Sequence, residues 1–308
     1  MQAATADRQI QKFALVDGSR IRDYYREQGY VVVRSLMTHS KIDAFLEQYE
    51  RVKSRRTFVY YSQSIHRAVR PALNEHGFIT QSMQDATRLG LAPRFSRAIK
   101  ACIYDRAISE ALTVIDGHAK HVSWQDMFFD LSTGTIEHAD SWYLDTDPGG
   151  ALVGAWIALE DIQPDAGPFF VMPGSHRARA LSKDDFSDHE QFRLATLEQI
   201  KAHGYTPKAM PLAKGDVLFW HPSTIHGGFA NVDPRYSRKS FTSHYFPLGM
   251  RRQSEVGQAE LEPTANPDLL RLRLTGDRMN HLRLLRRFVR DARAGWAPVE
   301  DMRRQSYQ

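Results

Sequence analysis

The pattern of apolar and polar positions along the chain divides it into three stretches. Up to about residue 120, apolar residues recur mainly at helical spacing, as in the segment 40–51. From about residue 121, short runs rich in aromatic and β-branched residues are separated by glycine, proline and aspartate. These runs read VSWQDMFFDL, ALVGAWIAL, GPFFVM, DVLFW and KSFTSHYF. After Pro247 helical spacing returns, and its apolar positions are Met279, Leu282, Leu285 and Val289.

This pattern predicts a single domain over 1–308, with a mostly β core between helical flanks. Residues 1–120 are predicted to be helix-rich, 121–247 to form the β core, and 248–308 to be a helical C-terminal extension. Many short strands with turn signals between them are typical of a sandwich or barrel.

Local signals add detail to the N-terminal region. We expect a helix over 20–28, the strand YVVVR over 30–34, and a second helix that ends near Arg51. Further helical stretches are expected around 81–90 and 93–115.

Composition limits the classes of protein to consider. Of the 308 residues, 42% are hydrophobic and 25% charged, which is typical of a soluble globular protein and argues against large-scale disorder. The net charge is +5 and the pI about 9.2. Much of the basic charge lies near the C-terminus, in Arg271, Arg273, Arg278, Arg283, Arg286, Arg287 and Arg290. Their spacing favours the solvated side of a docked helix over a site for a polyanion, so we predict no nucleic-acid partner.

A single cysteine, Cys102, excludes an intramolecular disulfide and indicates a reducing compartment. The first residues, MQAATADRQIQKF, lack the apolar core of a signal peptide. No stretch approaches the ~20 apolar residues that span a bilayer. We therefore expect a cytoplasmic protein that does not bind membranes; its oligomeric state is not predicted.

One histidine stands out among the thirteen in the chain, because only His138 is followed two positions later by an acidic residue, Asp140. On a strand, positions i and i+2 point to the same side, so both side chains can reach one metal ion. His226 follows the β run DVLFW and can supply a third ligand. Two histidines and one carboxylate leave three positions open on an octahedral iron(II) ion, although zinc hydrolysis uses similar ligands and stays an alternative.

An anchor for a carboxylate follows in the sequence. Arg238 lies twelve residues after His226, at the start of the last β run. The planar guanidinium of an arginine can bind both oxygens of a carboxylate at once. Ser240 would share the strand side of Arg238 and could donate a second hydrogen bond.

Several segments resemble the phytanoyl-CoA dioxygenase family. They are HAD (138–140), LVGAWIALEDIQPDAGPFFVMPGSHR (152–177), GDVLFWHPSTIHGG (215–228) and RKSFTSHY (238–245), in the order and at the separations of that family. The opening EQGYVVVRSLM (27–37) is also similar to the family. The resemblance implies a double-stranded β-helix, a cupin-like jelly roll with helical flanks.

The resemblance also implies roles for single residues. His138, Asp140 and His226 would bind iron(II), and Arg238 would hold the distal carboxylate of 2-oxoglutarate. Two further positions match the family's co-substrate region: Ser240, where a small residue is usual, and Trp156, an aromatic position. Asn231 matches an asparagine that orders its loop or faces the pocket, and Gly174 is expected in a turn with positive φ.

The predicted function is therefore a 2-oxoglutarate-dependent dioxygenase that uses dioxygen and releases succinate and carbon dioxide. Because Asp140 is present, hydroxylation is favoured over halogenation, where a small residue replaces the carboxylate. The alternatives are another oxidative outcome, such as desaturation or cyclisation, and a non-catalytic jelly-roll binding module. The substrate is expected to be a small polar or anionic metabolite, and its candidate contacts are Trp142, Tyr143, Asn231 and Arg67.

Overall fold

The computed structural model describes residues 10–55, 57–89, 92–181, 185–253, 259–274, 286, 289 and 290. The helices are α1 (Gly18–Gln28), α2 (His39–Lys53), α3 (Pro93–Ile103), α4 (Arg106–Asp116) and α5 (His189–His203). The strands are β1 (Lys12–Phe13), β2 (Tyr30–Val33), β3 (Tyr60–Ser62), β4 (Arg67–Val69), β5 (Met83–Gln84), β6 (His121–Phe129), β7 (Thr146–Asp147), β8 (Val153–Ala158), β9 (Phe169–Val171), β10 (Lys208–Met210), β11 (Val217–Trp220), β12 (His226–Gly228), β13 (Ser240–Pro247), β14 (Arg251–Arg252), β15 (Ala259–Pro263) and β16 (Leu269–Leu274).

Two facing sheets form the core of the molecule. Among the described residues, eleven strands form the major sheet, in which β2, β11, β8, β13 and β6 are consecutive antiparallel neighbours. The minor sheet has the order β10, β9, β12. This is the predicted double-stranded β-helix. Alternation along β11 sends Leu218 and Trp220 towards the minor sheet, where they pack with Trp156 and Phe169.

The helices cover the other side of the major sheet. Alternate residues of the same strands, such as Val217, Phe219 and Phe241, belong to the hydrophobic cluster that also contains residues of α1 to α4. In α2, Phe45 packs against Phe241 with ring centroids 4.7 Å apart. The helical flank therefore supports the sheet from outside and leaves the space between the sheets for a site.

The N-terminal elements follow the signals in the sequence. Helix α1 ends at Gly29, whose φ of 76° is readily adopted only without a side chain. The backbone N–H of Gly29 donates to the carbonyl of Tyr25 and closes the helix. Strand β2 follows at once and pairs with β11.

Two predictions of local structure are wrong. The region 81–90 contains the short strand β5 and a single 3₁₀ turn instead of a helix. The extension after Pro247 continues in strands, because LLRLRL in β16 alternates with the period of a strand and pairs with both β15 and β6. Arg271 and Arg273 thus lie on a hairpin, where both contact Glu262. The remaining stretch of the predicted helical extension lies almost wholly outside the described residues.

No helix in the described part of the chain is long and apolar enough to cross a membrane.

Candidate active site

Two histidines from different segments are joined by their backbones at one end of the sheets. His138 and His226 form a β-bridge in which each backbone N–H donates to the carbonyl of the other, at 3.0 and 2.9 Å. The bridge brings the two imidazole rings to a centroid distance of 4.4 Å. Residues 88 positions apart in sequence therefore present their side chains to the same point.

Hydrogen bonds orient both rings. The Nδ1 atom of His138 lies 2.9 Å from the carbonyl oxygen of Ile136, and Nδ1 of His226 lies 2.8 Å from that of Thr224. A carbonyl oxygen can only accept, so Nδ1 carries the proton in each ring. Each Nε2 is thereby left with a lone pair, which is the form of histidine that binds metal ions.

Asp140 completes the cluster, although its backbone differs from the strand that the sequence predicted. It begins a 3₁₀ turn over Asp140–Trp142. The Oδ1 atom of Asp140 lies 3.8 Å from Nε2 of His138 and 3.7 Å from Nε2 of His226. The three donor atoms lie within 4.8 Å of one another. Among the described residues, these three form the group of histidine, cysteine and acidic side chains that is compact enough to hold a metal ion.

The protonation states suit a cation in this position. Burial alone would raise the pKa of Asp140, but His226, His244 and His138 outweigh it and hold the pKa of this carboxyl below its usual range. Burial lowers the pKa of His226 to about 4, against the opposing effect of Asp140. At neutral pH the site therefore offers a carboxylate and a neutral imidazole without needing to release protons.

Arg238 supplies a second, positively charged feature. Its side chain is buried, with 4% of its surface exposed, and its Nε has no hydrogen-bond partner. Burial lowers the pKa of Arg238 to about 10, and no carboxylate among the described residues forms an ion pair with it. A buried guanidinium without a counter-ion is costly unless an anion binds there, so this residue fits the predicted carboxylate anchor.

A wall of aromatic rings connects this arginine to the histidines. The guanidinium carbon of Arg238 lies 5.7 Å from the centre of the Trp156 ring. Trp156 stacks on Phe169, and Phe169 stacks on His226 with centroids 5.3 Å apart. Trp156 also carries a buried Nε1 without a partner. The predicted second donor, the hydroxyl of Ser240, donates to the backbone carbonyl of Arg238 at 3.3 Å.

A cavity of about 830 Å³ opens above His138 and Asp140. Of the four predicted substrate contacts, Tyr143 and Asn231 line it, and the Asn231 amide also donates to the carbonyl of Tyr236, which orders the loop. The other two do not line it. Trp142 stacks behind Phe192 at 4.6 Å, and Arg67 is exposed on β4.

Several polar residues of the site were not predicted from the sequence. His244 lines the cavity, and its Nε2 lies 3.3 Å from Oδ2 of Asp140. A signal for it existed, because Arg238, Ser240, Thr242 and His244 alternate along one strand. The cavity is also lined by Gln63, Gln81 and Gln125, for which the sequence offers no comparable signal.

A family model described as "Phytanoyl-CoA dioxygenase (PhyH)" matches residues 25–240. The peroxisomal phytanoyl-CoA dioxygenase of Bos taurus is 24% identical over 231 residues, which cover 73% of this chain and 67% of that protein. The Homo sapiens protein of the same name is 24% identical over 235 residues, with the same coverage. Phytanoyl-CoA dioxygenase 1 of Oryza sativa is 30% identical over 112 residues, or 35% of this chain and 37% of that protein.

Solved structures with a similar fold are enzymes of varied activity. The non-haem α-ketoglutarate-dependent carbocyclase SnoK from nogalamycin biosynthesis superposes with a TM-score of 0.57 at 20% identity, over 78% of this chain and 88% of that one. The epimerase SnoN in complex with Fe³⁺, α-ketoglutarate and nogalamycin RO superposes with a TM-score of 0.56 at 19% identity, over 83% of this chain and 98% of that one. EctD from S. alaskensis with bound Fe superposes with a TM-score of 0.55 at 16% identity, over 86% of this chain and 83% of that one.

The jelly roll, the donor cluster and the family match together define a non-haem oxygenase that depends on iron(II) and 2-oxoglutarate. The match to the family model, over residues 25–240, covers well over half of the chain. The chain belongs to the phytanoyl-CoA dioxygenase family.

Proposed function

We propose that this protein hydroxylates a C–H bond of a small polar metabolite, with 2-oxoglutarate as co-substrate and with release of succinate and carbon dioxide. The observation that carries the proposal is the convergence of His138, Asp140 and His226, the first two of which line a cavity, beside an aromatic wall that leads to the guanidinium of Arg238, which has no carboxylate partner among the described residues. A bound iron(II) supplies the activation of dioxygen.

Each protein group has a task in this proposal. His138, Asp140 and His226 hold the metal on one side and leave the other side open to the co-substrate. Arg238 binds the distal carboxylate of 2-oxoglutarate and fixes its orientation. Trp156 lies against the guanidinium and excludes water, and its free Nε1–H offers a hydrogen bond to the co-substrate. Ser240 supports the backbone of Arg238.

The lining of the cavity favours a substrate that is polar and neutral. Its arginine, Arg193, already makes two hydrogen bonds with Glu190 at 2.9 and 2.6 Å. Gln81 is 7% exposed, and its Oε1 is buried without a donor, so a hydroxyl or N–H group of the substrate would satisfy it. Met127 and Phe192 provide apolar surface beside these amides.

The test is a screen of metabolites for succinate release in the presence of iron(II) and dioxygen. A hit is then examined by mass spectrometry, and the proposal expects a product that has gained one oxygen atom. Asp140→Ala serves as the control and should release no succinate above background. A wild-type protein that never consumes 2-oxoglutarate would instead support the non-catalytic binding module.

A different oxidative outcome is the second candidate. The similar folds include a carbocyclase and an epimerase, so the same scaffold carries other reactions in those proteins. A product that has lost two hydrogens, or one of unchanged mass, would favour this candidate over hydroxylation.

A further inference from the structure

Asp140 has a second carboxylate oxygen that faces away from the two histidine ligands. Its Oδ2 accepts a hydrogen bond from Nε1 of Trp220 at 2.9 Å, in a fully buried position. Nε2 of His244 lies 3.3 Å from the same oxygen, close enough for an electrostatic contact but without a directed hydrogen bond. Oδ1, by contrast, is the oxygen near Nε2 of His138 and His226. The two oxygens of one carboxylate therefore have different surroundings.

The strands around this oxygen are arranged to let both rings reach it. Trp220 on β11 and His244 on β13 are both paired with Gly154, on the strand between them. A Cβ atom added at Gly154 would lie 2.1 Å from Cε2 of Trp220, which no real contact permits. The indole thus lies over the position where a side chain of β8 would stand. The two rings meet edge to face, with centroids 5.9 Å apart.

We propose that Trp220 and His244 clamp Oδ2 of Asp140, across the gap left by Gly154, so that Asp140 binds the metal through Oδ1 alone. The inference rests on the proposed function, since it assigns positioning residues to that metal site. Oδ2 already accepts one hydrogen bond from Trp220 and has an imidazole nitrogen 3.3 Å away, so it is a poorer ligand for a cation than Oδ1.

The consequence concerns the number of open positions on the metal. With three single-atom ligands, an octahedral ion keeps three positions, which is the number needed for the two oxygens of 2-oxoglutarate and for dioxygen. A carboxylate that bound through both oxygens would occupy one of them. The clamp therefore keeps the last position available, and it also fixes the direction of Oδ1 before the metal arrives.

Cobalt(II) binding without 2-oxoglutarate tests the clamp independently of turnover. Trp220→Phe keeps an aromatic ring and removes the donor, and should weaken cobalt(II) affinity roughly 10- to 100-fold, the usual effect of losing a hydrogen-bond partner of a metal ligand. His244→Leu removes the imidazole nitrogen beside Oδ2 and should also weaken the affinity. His244→Gln keeps an N–H near the same place and should restore most of the affinity. Trp124→Phe, at a half-buried position on β6, is the matched control and should bind as the wild type does.

Infrared spectroscopy distinguishes the clamp from a general structural role. In protein labelled with [¹³C]aspartate, the splitting between the two carboxylate stretches reports whether one or both oxygens bind the metal. The splitting should narrow in Trp220→Phe and His244→Leu and stay wide in the wild type and in Trp124→Phe. Gly154→Ala should reproduce the change if it folds, because its methyl group displaces the indole.

The outcomes separate this inference from the proposed function. A wild type that binds no cobalt(II) overturns both. A wild type that binds, with Trp220→Phe and His244→Leu within twofold of it, overturns the clamp alone. Weakened affinity with an unchanged infrared splitting, and without rescue by His244→Gln, also overturns the clamp, because the variants would then act only by disturbing the packing.

Discussion

Arg238 is expected to lower the stability of the folded protein while it strengthens the binding of the co-substrate. Burial lowers the pKa of this guanidinium from its ordinary value to about 10. A tenfold change in an equilibrium constant corresponds to about 1.4 kcal/mol, so the buried charge destabilises the fold by about 3 kcal/mol. The guanidinium also lies over the rings of Phe129 and Trp156, at 5.2 and 5.7 Å from their centres. These contacts offset part of the destabilisation, because each contact of this kind contributes roughly 0.5–2 kcal/mol.

Arg238→Met removes the charge and keeps a long apolar side chain between the two rings. We expect the free energy of unfolding of the metal-free protein to rise by up to about 2 kcal/mol, which is the cost of the buried charge less the roughly 1 kcal/mol that two such contacts contribute at the lower end of their range. The affinity for 2-oxoglutarate should fall by about 1.5–3 kcal/mol, the contribution of a hydrogen bond to a charged group, which is roughly 10- to 150-fold. The same substitution thus stabilises the protein and disables the site.

Urea unfolding of the metal-free protein measures the first effect, and calorimetric titration of the cobalt(II) form with 2-oxoglutarate measures the second. Arg238→Lys keeps the charge without the planar fork, so it should lose affinity without gaining stability. Arg106→Met, at an exposed position on α4, should change stability by less than about 0.5 kcal/mol. Two results would contradict this expectation: an Arg238→Met variant that is less stable than the wild type by more than about 1 kcal/mol, or one that binds 2-oxoglutarate as the wild type does.

Three further predictions concern other residues. Asp140→Ala should abolish iron-dependent succinate release while circular dichroism shows an intact fold, and full activity would remove Asp140 from the metal ligands. Gln81→Leu should raise the free energy of unfolding by up to about 1–3 kcal/mol, because it removes a buried unpaired oxygen. The same variant should lower kcat/KM for the substrate and leave the affinity for 2-oxoglutarate unchanged. A loss of stability would show that Oε1 of Gln81 is hydrogen-bonded in the folded protein. Burial lowers the pKa of His221 from 6.5 to about 4, with His176 contributing. The unfolded chain therefore takes up this proton at higher pH than the folded one, so the free energy of unfolding should fall as pH falls from about 6.5 to about 4, by at most about 3 kcal/mol. His221→Asn should show a smaller fall in urea unfolding of the metal-free protein, and an equal fall would contradict the assignment.

The metal cluster could be predicted from the sequence, because residues two positions apart bring their side chains together here even though the backbone is not the predicted strand. His138 and Asp140 do reach the same point, although Asp140 begins a 3₁₀ turn and not a strand position. Arg238 could be predicted as a candidate anchor from its separation from His226 in the sequence and from the family pattern. That it lacks a counter-ion could not be predicted, because this depends on which carboxylates the fold brings near it.

Long-range pairing accounts for the larger errors. The alternation of leucine and arginine in β16 was present in the sequence, but its parallel pairing with β6 joins residues about 150 positions apart. Arg67 and Trp142 have plausible side chains for a substrate site, yet one faces solvent and the other packs behind Phe192. Residue type and local spacing do not fix which side chains line a cavity.

The central claim is that three side chains share one iron ion, and diffraction at the iron absorption edge tests it most directly. Crystals prepared without oxygen and soaked with iron(II) and 2-oxoglutarate should give one anomalous peak per chain, between Nε2 of His138, Oδ1 of Asp140 and Nε2 of His226. The keto acid should extend from that peak towards Arg238. A peak elsewhere, or no peak at this position in crystals that have taken up iron, would contradict the account.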